Sequence, residues 1–135
     1  MRPFLPPRLT PLLLVLACIS STGPGSNVTG AWSSTLFGAN QTLQLNLLQR
    51  DTLILGTGQY MIPVWIDTVQ VPGPIYQVTV TGTNRGPRVA LVMRYPVGPA
   101  TGAVAFSGVL QDPQHLRGYV QECGDCADPV TFTRR

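Results

Sequence analysis

The chain contains no lysine, and its nine basic residues are all arginines. Two of them, Arg2 and Arg8, lie in an N-terminal segment that we expect to be removed, which leaves seven arginines against six acidic residues. A nucleic-acid-binding domain needs a basic excess that is clustered along one face. The near balance of charge therefore predicts that nucleic acid is not a partner.

Histidine is scarce as well, because His115 is the single one in the sequence. It lies in a predicted turn, 112–115, with no nucleophile close to it in sequence, so we expect a solvated side chain rather than a general base. The carboxylates fall mostly in predicted loops, and no glycosidase-type pair can be assigned among Asp51, Asp67, Asp112, Asp125 and Asp128. The sequence predicts no enzyme, no catalytic residue, no metal site and no cofactor.

No apolar run is long enough to cross a membrane as a helix. The longest, Leu9 to Ala17, has nine residues, whereas a spanning helix needs about 20. A short apolar block after Arg2 and Arg8 is typical of an export signal that is later cleaved. We therefore expect a signal peptide over 1–17, a tether over 18–29 and one folded domain over 30–135.

The segment Leu14-Val15-Leu16-Ala17-Cys18 resembles the lipobox of bacterial lipoproteins. The resemblance implies that Cys18 is lipidated and is the sole membrane anchor of the mature protein. Ile19 follows the cysteine where an aspartate would favour retention in the inner membrane, so the implied location is the outer membrane or the surface of the bacterial cell envelope. The alternatives are ordinary secretion, with cleavage after Ser20, and an uncleaved anchor.

The mature chain shows a hydrophobic period of two and no helical period, which predicts half-buried strands. We expect strands near 29–37, 41–49, 53–61, 64–70, 75–82, 88–95, 103–110, 116–121 and 130–134. Short connections allow only antiparallel neighbours. The predicted fold is all-β, a small antiparallel meander barrel of about eight strands, with a β-sandwich as the alternative. Prolines at Pro63 and over 71–74 predict a distorted edge or a loop.

Gly30-Ala31-Trp32, at the start of the first strand, resembles the G-x-W motif of the calycin barrels, the lipocalins and avidins. The resemblance implies that Trp32 closes one end of the barrel, beneath a cation supplied by Arg134 or Arg135. Ser34 stands where avidins have asparagine, so biotin binding is not expected.

Cys123 and Cys126 form the one cysteine pair of the mature chain, and in an exported protein they predict a disulfide. A metal site and a redox centre are the alternatives. A metal site would need two further ligands, and a redox thiol would be disfavoured by the acidic neighbours Glu122 and Asp125.

Two functions remain open at this stage. In one, the tethered barrel binds a small apolar ligand or lipid in its mouth, with Trp65, Tyr76, Met93 and Phe106 as walls. In the other, it is a solid-cored structural domain of the envelope, or a domain that meets another protein through its loops. The volume of the interior separates them, because small-ligand pockets usually exceed about 300 Å³.

Overall fold

The computed structural model describes residues 27–36, 41–95, 102–123 and 126–135. Its strands are β1 (Gly30–Leu36), β2 (Gln41–Arg50), β3 (Leu53–Met61), β4 (Val64–Ile66), β5 (Val69–Val71), β6 (Ile75–Arg85), β7 (Arg88–Tyr95), β8 (Gly102–Asp112), β9 (His115–Cys123) and β10 (Cys126–Arg134). The described residues contain no helix.

Eight of these strands form a closed antiparallel barrel in the order β1-β10-β9-β8-β7-β6-β3-β2. Closure comes from β1 and β10, where Trp32 is opposite Arg134 and Ser33 is opposite Thr133. The prediction of a small antiparallel meander barrel is confirmed. A closed barrel satisfies the hydrogen bonds of every strand and has no exposed edge.

The predicted strand over 64–70 is wrong in its bounds. In its place β4 and β5 form a separate two-stranded hairpin between β3 and β6. Asp67 turns the chain with a left-handed φ of 56°, as Asp51 does with a φ of 53° between β2 and β3. At the base of the hairpin, a Cβ on Gly73 would lie 1.8 Å from the carbonyl oxygen of Ile62, so only glycine permits this close approach.

The interior of the barrel is filled by alternate residues from all eight strands. The burial pattern of β2, with Leu43, Leu45 and Leu47 inside, repeats along the other strands. Phe106 and Phe132 meet edge to face at the centre of this core, with ring centroids 5.3 Å apart, an arrangement that aromatic pairs favour. Tyr76 and Ile62 pack against the core from its margin.

The two ends of the barrel differ in their connections. At the end that contains Trp32, which we call the Trp32 end, two-residue turns join β2 to β3, β6 to β7 and β8 to β9. At the opposite end, which we call the loop end, β3 and β6 are joined through the hairpin and its flanking residues, 62–74. The hairpin therefore belongs to the loop end.

Candidate functional site

Trp32 and Arg134 close the Trp32 end. Cζ of Arg134 lies 4.5 Å from the centroid of the Trp32 ring, and the indole Nε1 donates to the carbonyl oxygen of Val28 at 2.8 Å. The guanidinium also donates to three carbonyl oxygens, of Pro113, Thr29 and Asn27, at 2.8, 2.6 and 2.8 Å. With its donors committed to the backbone, Arg134 acts as a structural cation rather than a ligand-binding one.

A polar network supports this end from inside. The side-chain oxygen Oε1 of Gln49 accepts hydrogen bonds from the backbone N–H of Val28 at 3.0 Å and from Nδ2 of the buried Asn84 at 2.9 Å. The hydroxyl of Thr29 accepts from the backbone N–H of Gln49 at 2.9 Å. These bonds fasten the residues that precede β1 to β2 and β6, because each satisfies a backbone or side-chain group that would otherwise be costly to bury.

The four residues that the sequence predicts as ligand walls differ in burial. Met93 and Phe106 are part of the core, and Tyr76 is half-buried at its margin. Trp65 lies instead on the hairpin, where its side chain is 62% exposed. The ligand wall formed by these four residues therefore stays a prediction.

Aromatic side chains also occupy the barrel near the loop end. Tyr60 on β3 and Tyr95 on β7 are both buried, and their ring centroids lie 5.3 Å apart. The hydroxyl of Tyr60 donates to Oε1 of Gln41 at the start of β2. Two large rings in mutual contact take up interior space that a ligand in the mouth of the barrel would need.

The hairpin exposes an apolar face. Val64 is opposite Val71 and Ile66 is opposite Val69, and directly opposed residues share one face of a sheet. Ile66 is 59% and Val69 is 62% exposed. Sequence reasoning missed this surface, because the alternation over 64–70 predicts a strand of the barrel. The dipeptide Asp67-Thr68, which repeats the turn dipeptide Asp51-Thr52, is the signal that could have indicated a turn here.

Two cavities described by the structure lie on its outside. One, of about 380 Å³, adjoins Asn27, Thr29, Pro113, Gln114 and Arg134 at the Trp32 end. The other, of about 200 Å³, is a shallow polar groove on the barrel wall beside Gly58, bordered by amide and hydroxyl side chains, Gln44, Asn46, Thr57, Gln59 and Gln77. Neither has the apolar lining that is usual for a small-molecule site.

The turn between β8 and β9 brings the carboxylate of Asp112 together with the imidazole of His115. The backbone N–H of Gln114 donates to Asp112 at 2.7 Å, and Nδ1 of His115 lies 2.9 Å from both carboxylate oxygens. The Gln114 hydrogen bond and, after it, the His115 side chain hold the pKa of Asp112 below its usual 3.8. All three residues are at the surface, where the contact between Asp112 and His115 spans the two-residue turn.

The cysteines give partial information. Cys123 and Cys126 are backbone register partners at the loop end of β9 and β10, and paired positions of this kind have the Cα separation that a disulfide needs. Side chains over 122–126 and the whole of Cys18 lie outside the described residues, as do the signal peptide and most of the tether. The disulfide and the lipidation stay predictions.

Within the described ranges, no three histidine, cysteine or acidic residues are grouped so that they could hold a metal ion. The same ranges contain no helix of the length and hydropathy that a membrane span requires. Together, the fold and these surfaces define a small meander barrel with a hydrophobic core built from its described strands, one end closed by Trp32 and Arg134 and the other carrying an apolar hairpin. Comparison with known protein families, curated proteins and solved structures finds no match, and the resemblance to the calycins stays a prediction.

Proposed function

We propose that this protein is exported to the bacterial cell envelope, is anchored there through a lipid on Cys18, and binds a partner protein of the envelope through the β4–β5 hairpin. The exposed apolar face formed by Val64, Ile66, Val69 and Val71 is the observation that carries the proposal. In this function the barrel is a solid scaffold and needs no ligand.

The energetics of the hairpin support a partner. Burying a valine or isoleucine side chain contributes about 1.5–3 kcal/mol, and this contribution is largely forgone while Ile66 and Val69 are exposed. A two-stranded hairpin is also marginally stable on its own in water. Contact with an apolar surface of a partner would bury these side chains and would stabilise the two paired strands.

Trp65 adds specificity to this surface. It lies opposite Gln70, on the face of the hairpin that Ile66 and Val69 do not share. Tryptophan is enriched among the residues that dominate protein interfaces, because a large ring with one hydrogen-bond donor fills a pocket in the partner. A partner that wraps the hairpin would therefore contact an aliphatic face and an indole.

A protein partner is favoured over a small apolar ligand by the packing of the interior. Met93 and Phe106 are fully buried among other side chains, and Tyr60 and Tyr95 occupy the region behind the loop end. A ligand held by these residues would first have to displace the rings. A bound apolar ligand is therefore the alternative that the experiment has to exclude.

The test is photo-crosslinking in intact host cells. A photoreactive amino acid replaces Val69 on the apolar face in the full chain, and the control carries it at Thr81, which is exposed on the barrel wall. A discrete protein adduct from position 69 that is absent from position 81 supports the proposal, and Ile66→Ser should reduce its yield. Equal labelling at both positions, or a stoichiometric apolar ligand in an organic extract of the purified protein, would overturn it.

A further inference from the structure

The near balance of charge in the mature sequence hides a separation along the barrel axis. Strand ends place six of its seven arginines at the Trp32 end, together with two acidic residues: Arg50, Arg85, Arg88, Arg117, Arg134, Arg135, Asp51 and Asp112. The remaining arginine, Arg94, lies near the loop end of β7, and that end also holds Asp67 on the hairpin and Asp128 near the start of β10. The barrel is therefore basic at one end and acidic at the other.

Three of the arginines form a row on the outer surface. Arg85 is opposite Arg88 across β6 and β7, and Val109 on β8 is opposite both Arg88 and Arg117. Neighbouring strands are about 4.8 Å apart, so the three arginines, on β6, β7 and β9, lie within one short stretch of the wall. All three are exposed, and none of their side chains makes a hydrogen bond or ion pair with another described residue.

Exposed aliphatic side chains lie among these charges. Val109, between Arg88 and Arg117, is 45% exposed, and Leu53, the register partner of Arg50, is 49% exposed. Leu48 and Leu55 are opposed on the outer face of β2 and β3 close by. A surface that mixes arginine with exposed aliphatic groups matches the headgroup region of an anionic bilayer, where phosphates meet the first methylene groups.

The described chain starts at this same end, with Asn27 just before β1. Nine residue steps separate Asn27 from Cys18, and they reach at most about 30 Å when fully extended. A lipid on Cys18 would therefore hold the Trp32 end near the membrane surface, within a few Debye lengths of about 8 Å each.

We propose that the exposed arginines of the Trp32 end, with Arg85, Arg88 and Arg117 at their centre and without the structural Arg134, bind the anionic phospholipids of the membrane that holds the anchor. This inference rests on the membrane anchoring in the proposed function. It gives the barrel an orientation, with its basic end on the bilayer and the hairpin presented away from it to a partner. The acidic loop end adds to this orientation, because an anionic surface repels it.

The experiment measures binding without the lipid. The full-length exported protein with Cys18→Ser is titrated with vesicles of neutral phosphatidylcholine, or of phosphatidylcholine with phosphatidylglycerol. One variant carries Arg85→Gln, Arg88→Gln and Arg117→Gln together, and the control carries Arg94→Gln at the loop end. Each basic residue near an anionic membrane contributes roughly a fivefold change in binding, so the triple variant should bind about 100-fold more weakly, with the control within about twofold.

Three results would overturn the inference: equal binding to both kinds of vesicle, equal effects of the triple variant and the control, or binding of the parent to duplex DNA as tight as its binding to anionic vesicles. The proposal of a lipid anchor on Cys18 is tested separately, by the cell fraction in which the wild-type protein is found. Because the vesicle measurement uses protein without a lipid, one proposal can fail while the other stands.

Discussion

Gly108 and Gly118 are register partners on β8 and β9, where the ring of Phe106 lies against Gly108 and the backbone of β8 lies against Gly118. A Cβ on Gly108 would lie 2.4 Å from Cζ of Phe106, and a Cβ on Gly118 would lie 2.2 Å from the carbonyl oxygen of Ser107 and 2.5 Å from the Cα of Gly108. The absence of a side chain at Gly108 therefore leaves room for the Phe106 ring that packs edge to face on Phe132, and the absence of one at Gly118 lets β8 and β9 approach each other there.

Gly118→Ala should therefore destabilise the barrel, because backbone atoms of β8 cannot move aside as the end of a flexible side chain can. Overpacking of this kind costs about 1–3 kcal/mol. The free energy of unfolding from urea titration measures the effect. Gly102→Ala is the matched control, since no atom lies within 4 Å of its added Cβ; a loss of stability there equal to that of Gly118→Ala would contradict the argument.

Arg134→Gln removes the cation over Trp32 and the donors to three backbone carbonyl oxygens. The contact is partly exposed, so we expect a loss of about 2–3 kcal/mol in the free energy of unfolding. Arg135→Gln, at the next position and on the exposed surface, should change it by less than about 0.5 kcal/mol. Arg134→Lys keeps the positive charge but loses the planar guanidinium, so its loss in the free energy of unfolding should lie between those of the two glutamine variants. Equal free energies of unfolding for the two glutamine variants would show that the closure of the barrel between β1 and β10 does not depend on the Arg134 side chain.

The turn at Asp112 predicts a pH dependence of stability. The pKa of Asp112 is lowered from 3.8 by the Gln114 backbone N–H and by His115, so its contribution to stability is fully present above the unfolded value and is lost as the pH falls through the lower folded value. In Asp112→Asn this part of the acid sensitivity should disappear, which unfolding measurements at a series of pH values below about 5 can detect. Asp128→Asn, whose carboxylate has no hydrogen bond in the described residues, is the control, and matching acid profiles for the two variants would refute the assignment.

Lipidation predicts where the protein is found in the cell. Cys18→Ser should move it from the membrane fraction to the soluble exported fraction, or leave it as an uncleaved precursor, because no other apolar run in the mature chain approaches the 18 residues of a membrane span. Cys123→Ser, as a control, should leave the protein in the membrane fraction. A soluble wild-type protein whose mass shows an N-terminus beyond residue 18 and no lipid would replace the anchor with plain secretion.

Strand positions could be predicted from the sequence because alternation survives wherever one face of a strand is buried. The predicted ranges 41–49, 53–61 and 88–95 agree with β2, β3 and β7 to within a residue. The hairpin could not be predicted in the same way. Apolar residues at 64 and 66 and again at 69 and 71 indicate an apolar face, but they do not say whether that face meets the core or the solvent.

The separation of charge along the barrel axis could not be predicted from composition either, because composition gives only the net charge of the chain. It needs the topology: in a meander, successive connections alternate between the two ends, so Arg85 and Arg117, 32 positions apart in sequence, reach the same end. Once the strand order is known, each charge can be assigned to an end from its position within its strand.

The hairpin reintroduces sheet edges into a molecule whose barrel has none. β4 and β5 pair only with each other among the described strands, so each offers one side to which an extended segment could add. Each is three residues long, and Pro63 on one side with Pro72 and Pro74 on the other cannot donate to a longer ladder. Growth by repeated strand addition would therefore stop after a few hydrogen bonds, so the hairpin can leave its apolar face exposed without nucleating fibrils.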